Sequence, residues 1–410
     1  MKDRKLLMIP GPVEFSPPVL RAMGMPTTSH VAPNFIQVFG QALERLRHVF
    51  LCPTGQPFVV AGSGTLAMDM AAANLVEPGD QALVVNTGIF SDRFGAILER
   101  YGALVTHVRA PVVGDVPALE AVQAALDAAA YKLMTITHVD TSTGVRANVR
   151  ALAELGRQHE LLVLVDGVCA TAGEELDQEG WGIDLVLTAS QKAIGVPPGL
   201  ALVMAGPRAI EAFHARQTPV RSYYADWTEW LPIMQAYEAR RPSYFGTPPV
   251  NLIWALNISL AQILQEGMAG RFARHGRLSS ACKAGIAALG MDQVPVSPEI
   301  AADTLSAPCY PEGVDGSILG RISEEGVILA GGLHPEIKDR YFRIGHMGAV
   351  TAADILAALG AIECGLAAAG YSFEPGAGLQ AAQQALLGAP AEVADAGEPA
   401  SAGESGEAGA

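Results

Sequence analysis

Two ionisable side chains stand where chemistry is most easily done. Lys192 ends the run Leu185-Val186-Leu187-Thr188-Ala189-Ser190-Gln191-Lys192, and Asp166 follows the run Leu161-Leu162-Val163-Leu164-Val165. Each run is apolar and of strand length, so the spacing predicts two buried strands ending in charges of opposite sign. An ammonium or carboxylate held there loses hydration, which surface charges keep. In an open α/β sheet such strand ends line the crevice where ligands bind. An aspartate and a lysine facing one crevice suit pyridoxal 5'-phosphate (PLP). The carboxylate holds the pyridine nitrogen protonated, and the amine forms a Schiff base with the aldehyde. A buried ion pair, or a lysine that reaches solvent from the strand end, is the other reading of the same residues.

Further groups could serve such a site. Ser63-Gly64-Thr65 lies between a predicted strand and a predicted helix, where two hydroxyls and a row of backbone N–H groups make an anion site or an ordinary helix cap. It fits neither a dinucleotide fingerprint nor a Walker loop. His138-Val139-Asp140-Thr141-Ser142-Thr143-Gly144 follows another strand, placing Thr141 at the same sheet edge unless the stretch is simply a capped turn. Phe90, in the loop after a strand, could stack on an aromatic ring or fill the core. Arg343, in Tyr341-Phe342-Arg343-Ile344-Gly345-His346-Met347-Gly348, suits a planar carboxylate; the structural alternative is an interdomain salt bridge.

The elements that must position these groups alternate. Strands at Phe58–Val60, Ala82–Val85, Leu104–Val108, Leu133–His138, the Asp166 run, Asp184–Thr188 and Leu200–Met204 are separated by helical patterns that include Phe35–Phe50, Leu66–Leu75 and Val149–His159. Such alternation predicts an α/β fold with a mostly parallel sheet covered on both faces. Pro10-Gly11-Pro12 and Pro17-Pro18 predict an extended arm over residues 1–20. A large α/β domain over 21–250 loses its periodicity in the aromatic, proline-rich stretch Arg221–Pro249. Asn251–Glu266 predicts a long helix bridging to a small α+β domain within 251–375. Residues 376–410 read as an Ala/Gly/Glu-rich tail. After Pro390 it has five acids and no Lys or Arg, which predicts disorder there.

Composition narrows the function. A chain of 410 residues has ample length for two domains. Its net charge of -15 argues against nucleic acid and anionic membranes as partners. The five cysteines form no CxxC pair and read as reduced thiols of a cytoplasmic protein. The apolar stretch before Pro10 is too short for a secretory signal, and no apolar run has membrane-spanning length.

Taken together, Pro10-Gly11-Pro12, Gly62-Ser63-Gly64-Thr65, Thr141-Ser142-Thr143-Gly144, Val165-Asp166-Gly167-Val168, Ser190-Gln191-Lys192-Ala193, Pro197-Pro198-Gly199 and Arg343-Ile344-Gly345 resemble one family in order and spacing. It is the class V branch of fold-type I PLP enzymes, in particular the alanine–glyoxylate and serine–glyoxylate (serine–pyruvate) aminotransferases. The resemblance runs from Pro10 to about Leu366. It implies a mostly parallel seven-stranded sheet sandwiched by helices, with a smaller C-terminal α+β domain. It implies that Lys192 carries the Schiff base, Asp166 pairs with the pyridine nitrogen and Thr141 bonds the ring oxygen. Phe90 would stack on the ring, and Ser63, Gly64, Thr65 and Gln191 would form the phosphate cup. Tyr244 and Thr247 match residues that reach the phosphate of a neighbouring subunit, implying a homodimer with shared sites. Arg343 matches the substrate-carboxylate anchor.

The departures carry information. Phe90 stands where several relatives have tryptophan. His346 resembles the pyridoxamine–pyruvate branch, but that branch lacks the hydroxyls kept here at Ser63 and Thr65. His30 and Tyr244 stand where ureidoglycine–glyoxylate enzymes tend to have amides, which disfavours that substrate. Cysteine desulfurases typically put histidine where Gln191 precedes the lysine. The expected reaction is a ping-pong transamination of alanine or serine with glyoxylate or pyruvate. Another class V reaction, such as aspartate or pyridoxamine transamination or a lyase, is the alternative on the same scaffold; a non-catalytic interaction protein is the alternative of another kind.

Overall fold

The computed structural model describes residues 5–388. Seven strands form the central sheet: Gln56–Ala61, Gln81–Asn86, Leu104–Arg109, Leu133–Thr137, Leu162–Asp166, Leu185–Ala189 and Leu200–Ala205. Numbered in that chain order, they lie 1-7-6-5-4-2-3 across the sheet. Strand 7 runs antiparallel to both neighbours, and the other pairs are parallel. Leu162–Asp166 and Leu185–Ala189 are buried throughout and lie side by side near the middle. That is why both read as continuous apolar runs rather than alternating ones. Asp166 therefore ends a strand fixed on both sides by its ladder.

Helices cover the sheet. Gly64–Leu75 packs on the Leu185–Ala189 and Leu200–Ala205 strands, and its Ala- and Met-rich sequence is buried nearly all round. The amphipathic helix Pro33–Val49 packs against Val250–Glu266, which ends at Gly267 with φ +77°. The stretch after Arg221 is not irregular throughout. Trp227–Glu238 is a helix, started by the Asp226 carboxylate accepting from Thr228 N–H and containing Pro232. Pro232, the sixth residue, gives up the bond its N–H would make to the Thr228 carbonyl, and the helix is held there by its buried residues Trp230, Ile233, Met234 and Tyr237.

A second core sits on the far side of Val250–Glu266. Helices Met268–Ala288 and Ala352–Ala368 surround a three-stranded antiparallel sheet of Leu305–Ser306, Phe342–Gly345 and Ala330–Gly331, with Phe342 and Ile344 in the core. The first part of the expected tail belongs to it. Ala377–Gly388 is a helix packed on Met268–Ala288, and Glu363 accepts N–H bonds from Gly376, Gly378 and Leu379 at its start. The disorder expected after Pro390 concerns residues outside those described.

The N-terminal arm straps this small unit to the sheet. Leu6–Leu7 pairs in parallel with Val327–Ile328. Met8 is fully buried in the small core, a burial that stabilises by about 1.5–3 kcal/mol. The arm then crosses to the large unit, where Val13 N–H donates to the Gln191 carbonyl. It is extended only to Phe15. Pro17–Met23 is a helix, because a proline in the first helical turn gives up an N–H that has no partner there. Among the described residues no helix is long and apolar enough to cross a membrane.

Candidate active site

The C-terminal ends of the parallel strands, the start of Gly64–Leu75 and the N-terminal arm enclose a cavity of about 340 Å³. Ser63, Gly64, Thr65, Phe90, Thr141, Gln191 and Lys192 all line it. Lys192 leaves the turn after Leu185–Ala189 and is 8% exposed. Its Nζ donates to the carbonyl of Pro10 in the arm. Gly11 makes this approach possible: its φ is +128°, and a Cβ there would lie 2.6 Å from Lys192 Cδ. Burial pulls the lysine pKa below its ordinary value; Cys169 and Asp166 oppose this, and Arg343 adds to it. A larger share of the amine is therefore neutral, the form that acts as nucleophile and base.

Asp166 is 2% exposed, and its Oδ1 accepts from Val168 N–H at 2.9 Å. Burial raises its pKa to about 7, against the pull of the Val168 N–H and the Lys192 charge. A buried carboxyl with one hydrogen bond is poised to meet a cationic partner. Opposite it, Ser63 stands at the N-cap of Gly64–Leu75 without making a side-chain capping bond. Its hydroxyl is not spent on the helix, which weighs against a mere cap. Gln191 Oε1 is buried without a hydrogen-bond partner among the described residues.

Phe90 and Thr141 are tied together by a carboxylate. Asp140, fully buried, accepts from the N–H groups of Phe90 (3.0 Å) and Ser91 (3.4 Å), and from the N–H and hydroxyl of Ser142. The start of Ile89–Arg100 and the Thr141 turn therefore move as one piece. Arg93, one helical turn beyond Phe90, also lines the cavity. Its guanidinium carbon lies 4.8 Å from the Phe90 ring centroid, and Nη1 donates to Thr65 Oγ1 at 3.3 Å. The sequence reading did not single out Arg93, although the i, i+3 spacing from Phe90 was available as a signal.

Arg343 reaches this wall from the small unit. Its Nε donates to the Gly331 carbonyl at 2.9 Å and its Nη1 to the Thr141 carbonyl at 3.2 Å. Among the described residues it pairs with no carboxylate, so it is not the interdomain ion pair. That task falls to Arg146, which bridges Glu174 and Asp303. Tyr244 (62% exposed) and Thr247 do not line this chain's cavity; both lie in the exposed stretch before Val250–Glu266, with the His30 ring 5.2 Å from that of Tyr244. His346 is fully buried between Ser306 Oγ and the Asp303 carbonyl, and burial pushes its pKa down to about 3.

A buried lysine lining the cavity of a doubly covered sheet, a buried aspartate ending the adjacent strand two residues before the lining Val168, and an arginine on the small unit mark an enzyme of the fold-type I class. Residues 20–336 match the family "Aminotransferase class-V". The chain belongs to that family and is an aminotransferase. The alanine–glyoxylate aminotransferase 1 of Saccharomyces cerevisiae is 38% identical over 359 residues, 85% of this chain and 93% of its own. The L-aspartate–glyoxylate aminotransferase of Paracoccus denitrificans is 33% identical over 389 residues, 94% of this chain and 96% of its own. The crystal structure of ureidoglycine–glyoxylate aminotransferase from Bacillus subtilis superposes with a TM-score of 0.87 at 27% identity, covering 94% of this chain and 99% of that one.

Proposed function

We propose that this protein uses PLP to transfer the amino group of a small amino acid, alanine or serine, to glyoxylate or pyruvate. The observation that carries the reading is the convergence of Lys192 and Thr141 on one cavity, with Asp166 bonded to its lining residue Val168 and Arg343 tied to Thr141. The cavity fits the cofactor on three counts: an unspent hydroxyl at a helix N-terminus, a buried, unpartnered Gln191 Oε1, and a buried carboxyl, that of Asp166, bonded to the lining residue Val168. When bound, PLP supplies an aldehyde that condenses with amines and a ring that takes up electron density from the substrate's α-carbon.

Asp166 holds the proton on the ring nitrogen, and the Phe90 ring limits tilt by stacking. Ser63, Thr65, the backbone of Gly64 and Gln191 hold the phosphate, with the N-terminus of Gly64–Leu75 favouring its charge. Thr141 offers a hydroxyl to the ring oxygen. Arg343 grips the carboxylate of donor and acceptor alike, fixing the α-carbon near Lys192. Lys192 Nζ would take the α-proton of the donor and deliver it to the C4' carbon within the same half-reaction, and with the acceptor it would carry a proton the opposite way. Tyr244 and Thr247, exposed in one chain, reach the phosphate of a partner chain in a homodimer with two shared sites.

The names of the three relatives above share glyoxylate and differ in the donor, which supports glyoxylate as acceptor. A screen of alanine, serine and aspartate against glyoxylate and pyruvate tests the assignment. With an amino acid alone, one equivalent of oxo acid per site should form and the reaction should stop. Continued production without an acceptor would make the protein a lyase. Lys192→Ala should no longer hold PLP covalently; a retained covalent adduct on borohydride treatment would remove Lys192 from the mechanism.

A further inference from the structure

Tyr341 immediately precedes the Phe342–Gly345 strand and shares a face with Arg343, because alternate residues of an extended chain point the same way. Its ring is fully buried. The hydroxyl accepts from the N–H of Leu333 at 2.8 Å and of His334 at 2.9 Å, and donates to the carbonyl of Ser142. A phenol has one proton to give and two lone pairs, so this group is saturated. The turn below lies directly on the ring: a Cβ at Gly332 would stand 2.7 Å from Tyr341 Cε1.

Arg343 grips the neighbouring residues of the same two segments, the carbonyls of Thr141 and Gly331. The direction of its guanidinium is therefore set by two backbone groups. Their separation is in turn held by one phenolic hydroxyl spanning Ser142 and the 333–334 turn. Without that hydroxyl, two buried N–H groups and a carbonyl lose their partner, and the turns must shift to satisfy them.

We propose that Tyr341 is a positioning residue for carboxylate recognition, its hydroxyl holding the two turns at the spacing that aims Arg343 at the substrate. The proposal rests on the reading of Arg343 as the carboxylate anchor. An ångström of misalignment suffices to cost about a hundredfold where a planar pair must meet edge to edge.

The test uses the full-length, PLP-loaded enzyme and two amines, alanine and ethylamine, which is alanine without its carboxylate. Tyr341→Phe should raise KM for alanine and for glyoxylate about tenfold to a hundredfold, with kcat changed less than about threefold. PLP affinity, and the affinity with which ethylamine perturbs the absorbance of bound PLP, should stay within about twofold, since neither uses Arg343. A purely structural role would weaken alanine and ethylamine equally and lower Tm; that result, or no change in either, overturns the proposal. The second variant replaces Leu333 by its α-hydroxy acid, so that an ester oxygen stands in place of the N–H that donates to the hydroxyl and no atom is added beside the buried ring. It should produce the same carboxylate-selective loss, about two- to fivefold, and it decides the matter if Tyr341→Phe does not fold. Arg343→Lys run alongside separates the layers. If it too spares the difference between alanine and ethylamine, the anchor reading fails and takes the proposal with it. If it abolishes that difference and neither Tyr341→Phe nor the ester at position 333 does, only the role of Tyr341 fails.

Discussion

The two walls of the cavity are built in different ways. The wall with Asp166 and Lys192 hangs from adjacent strands of a seven-stranded sheet, both buried along their whole length. The wall with Arg343 hangs from a four-residue strand of a three-stranded sheet, and is joined to the large unit by the bonds of Arg343 and Tyr341 to the Thr141 and Ser142 carbonyls, by the Arg146–Asp303 ion pair and by the Glu174 carboxylate, which accepts from Asp303 and Thr304 N–H. The first is fixed by continuous strand ladders; the second is held across the interface by separate side-chain bonds, each of which can be removed without breaking a ladder. A cofactor that stays through many turnovers suits the first wall. A substrate that must enter and leave suits the second. The arm touches both, giving the Pro10 carbonyl to Lys192 and the Met8 carbonyl to Gly345 N–H. At Gly345 a Cβ would lie 2.1 Å from the Ile9 carbonyl oxygen, so the two walls meet over the arm only because that residue is glycine.

Breaking the first wall should have the largest effect. Lys192→Ala removes the group that moves the proton, and turnover should fall by at least about a thousandfold with every donor. Adding ethylamine as an external base should restore part of it; full activity without any added base would show that Lys192 is not the proton carrier.

Breaking the second wall should cost less and be more selective. Arg343→Lys keeps a positive charge and loses the fork, a difference of about 2–3 kcal/mol, or roughly a hundredfold in kcat/KM. The loss should fall on donor and glyoxylate alike, with PLP affinity unchanged. Stopped-flow absorbance of each half-reaction reads it; a lowered melting temperature with normal rates would make Arg343 a strut.

A control lies in the small unit but off both walls. Glu363 is 8% exposed and accepts three N–H bonds at the start of Ala377–Gly388. Glu363→Ala should lower stability by about 1–3 kcal/mol and leave both half-reactions unchanged. A kinetic defect as large as that of Arg343→Lys would show that the second wall is sensitive to the whole small unit rather than to its own few bonds.

The same contrast explains what could be read from the chain alone. The first wall is local: an apolar run and the ionisable residue beside it are contiguous in sequence, so Asp166 and Lys192 were visible with their strands. The helix Gly64–Leu75 and its Ser63 were visible for the same reason. The second wall is made by contacts across 199 and 202 positions, Tyr341 to Ser142 and Arg343 to Thr141, which no local pattern encodes. Arg343 was placed by family resemblance, not by periodicity. Three helices were hidden by composition. Pro17-Pro18 suggested extension but start Pro17–Met23, Pro232 masked Trp227–Glu238, and the Ala/Gly content of Ala377–Gly388 resembled a tail until Glu363 and Met268–Ala288 gave it partners.

Titration separates the walls without touching the second one. Burial raises the Asp166 carboxyl from 3.8 to about 7 in the folded protein. In the unfolded chain it titrates near about 3.9. Between those values the native state keeps a proton that the unfolded state has released, so stability falls as pH rises. The contribution is complete below about pH 4 and is lost as pH passes about 7. Asp166→Asn cannot release a proton, and its urea midpoint should decline less steeply across this window in PLP-free protein. Glu174, at the interdomain bridge, is also raised to about 7, by burial and then by Asp303, so a residual decline should remain in the variant. PLP distinguishes the two groups. A cationic ring nitrogen beside Asp166 favours the carboxylate and should flatten the wild-type decline toward that of Asp166→Asn, while the part due to Glu174 stays. Identical pH dependences for the wild type and Asp166→Asn would mean that the folded PLP-free protein does not hold a proton on Asp166, and a wild-type decline that PLP leaves untouched would mean that Asp166 does not face the cofactor's nitrogen.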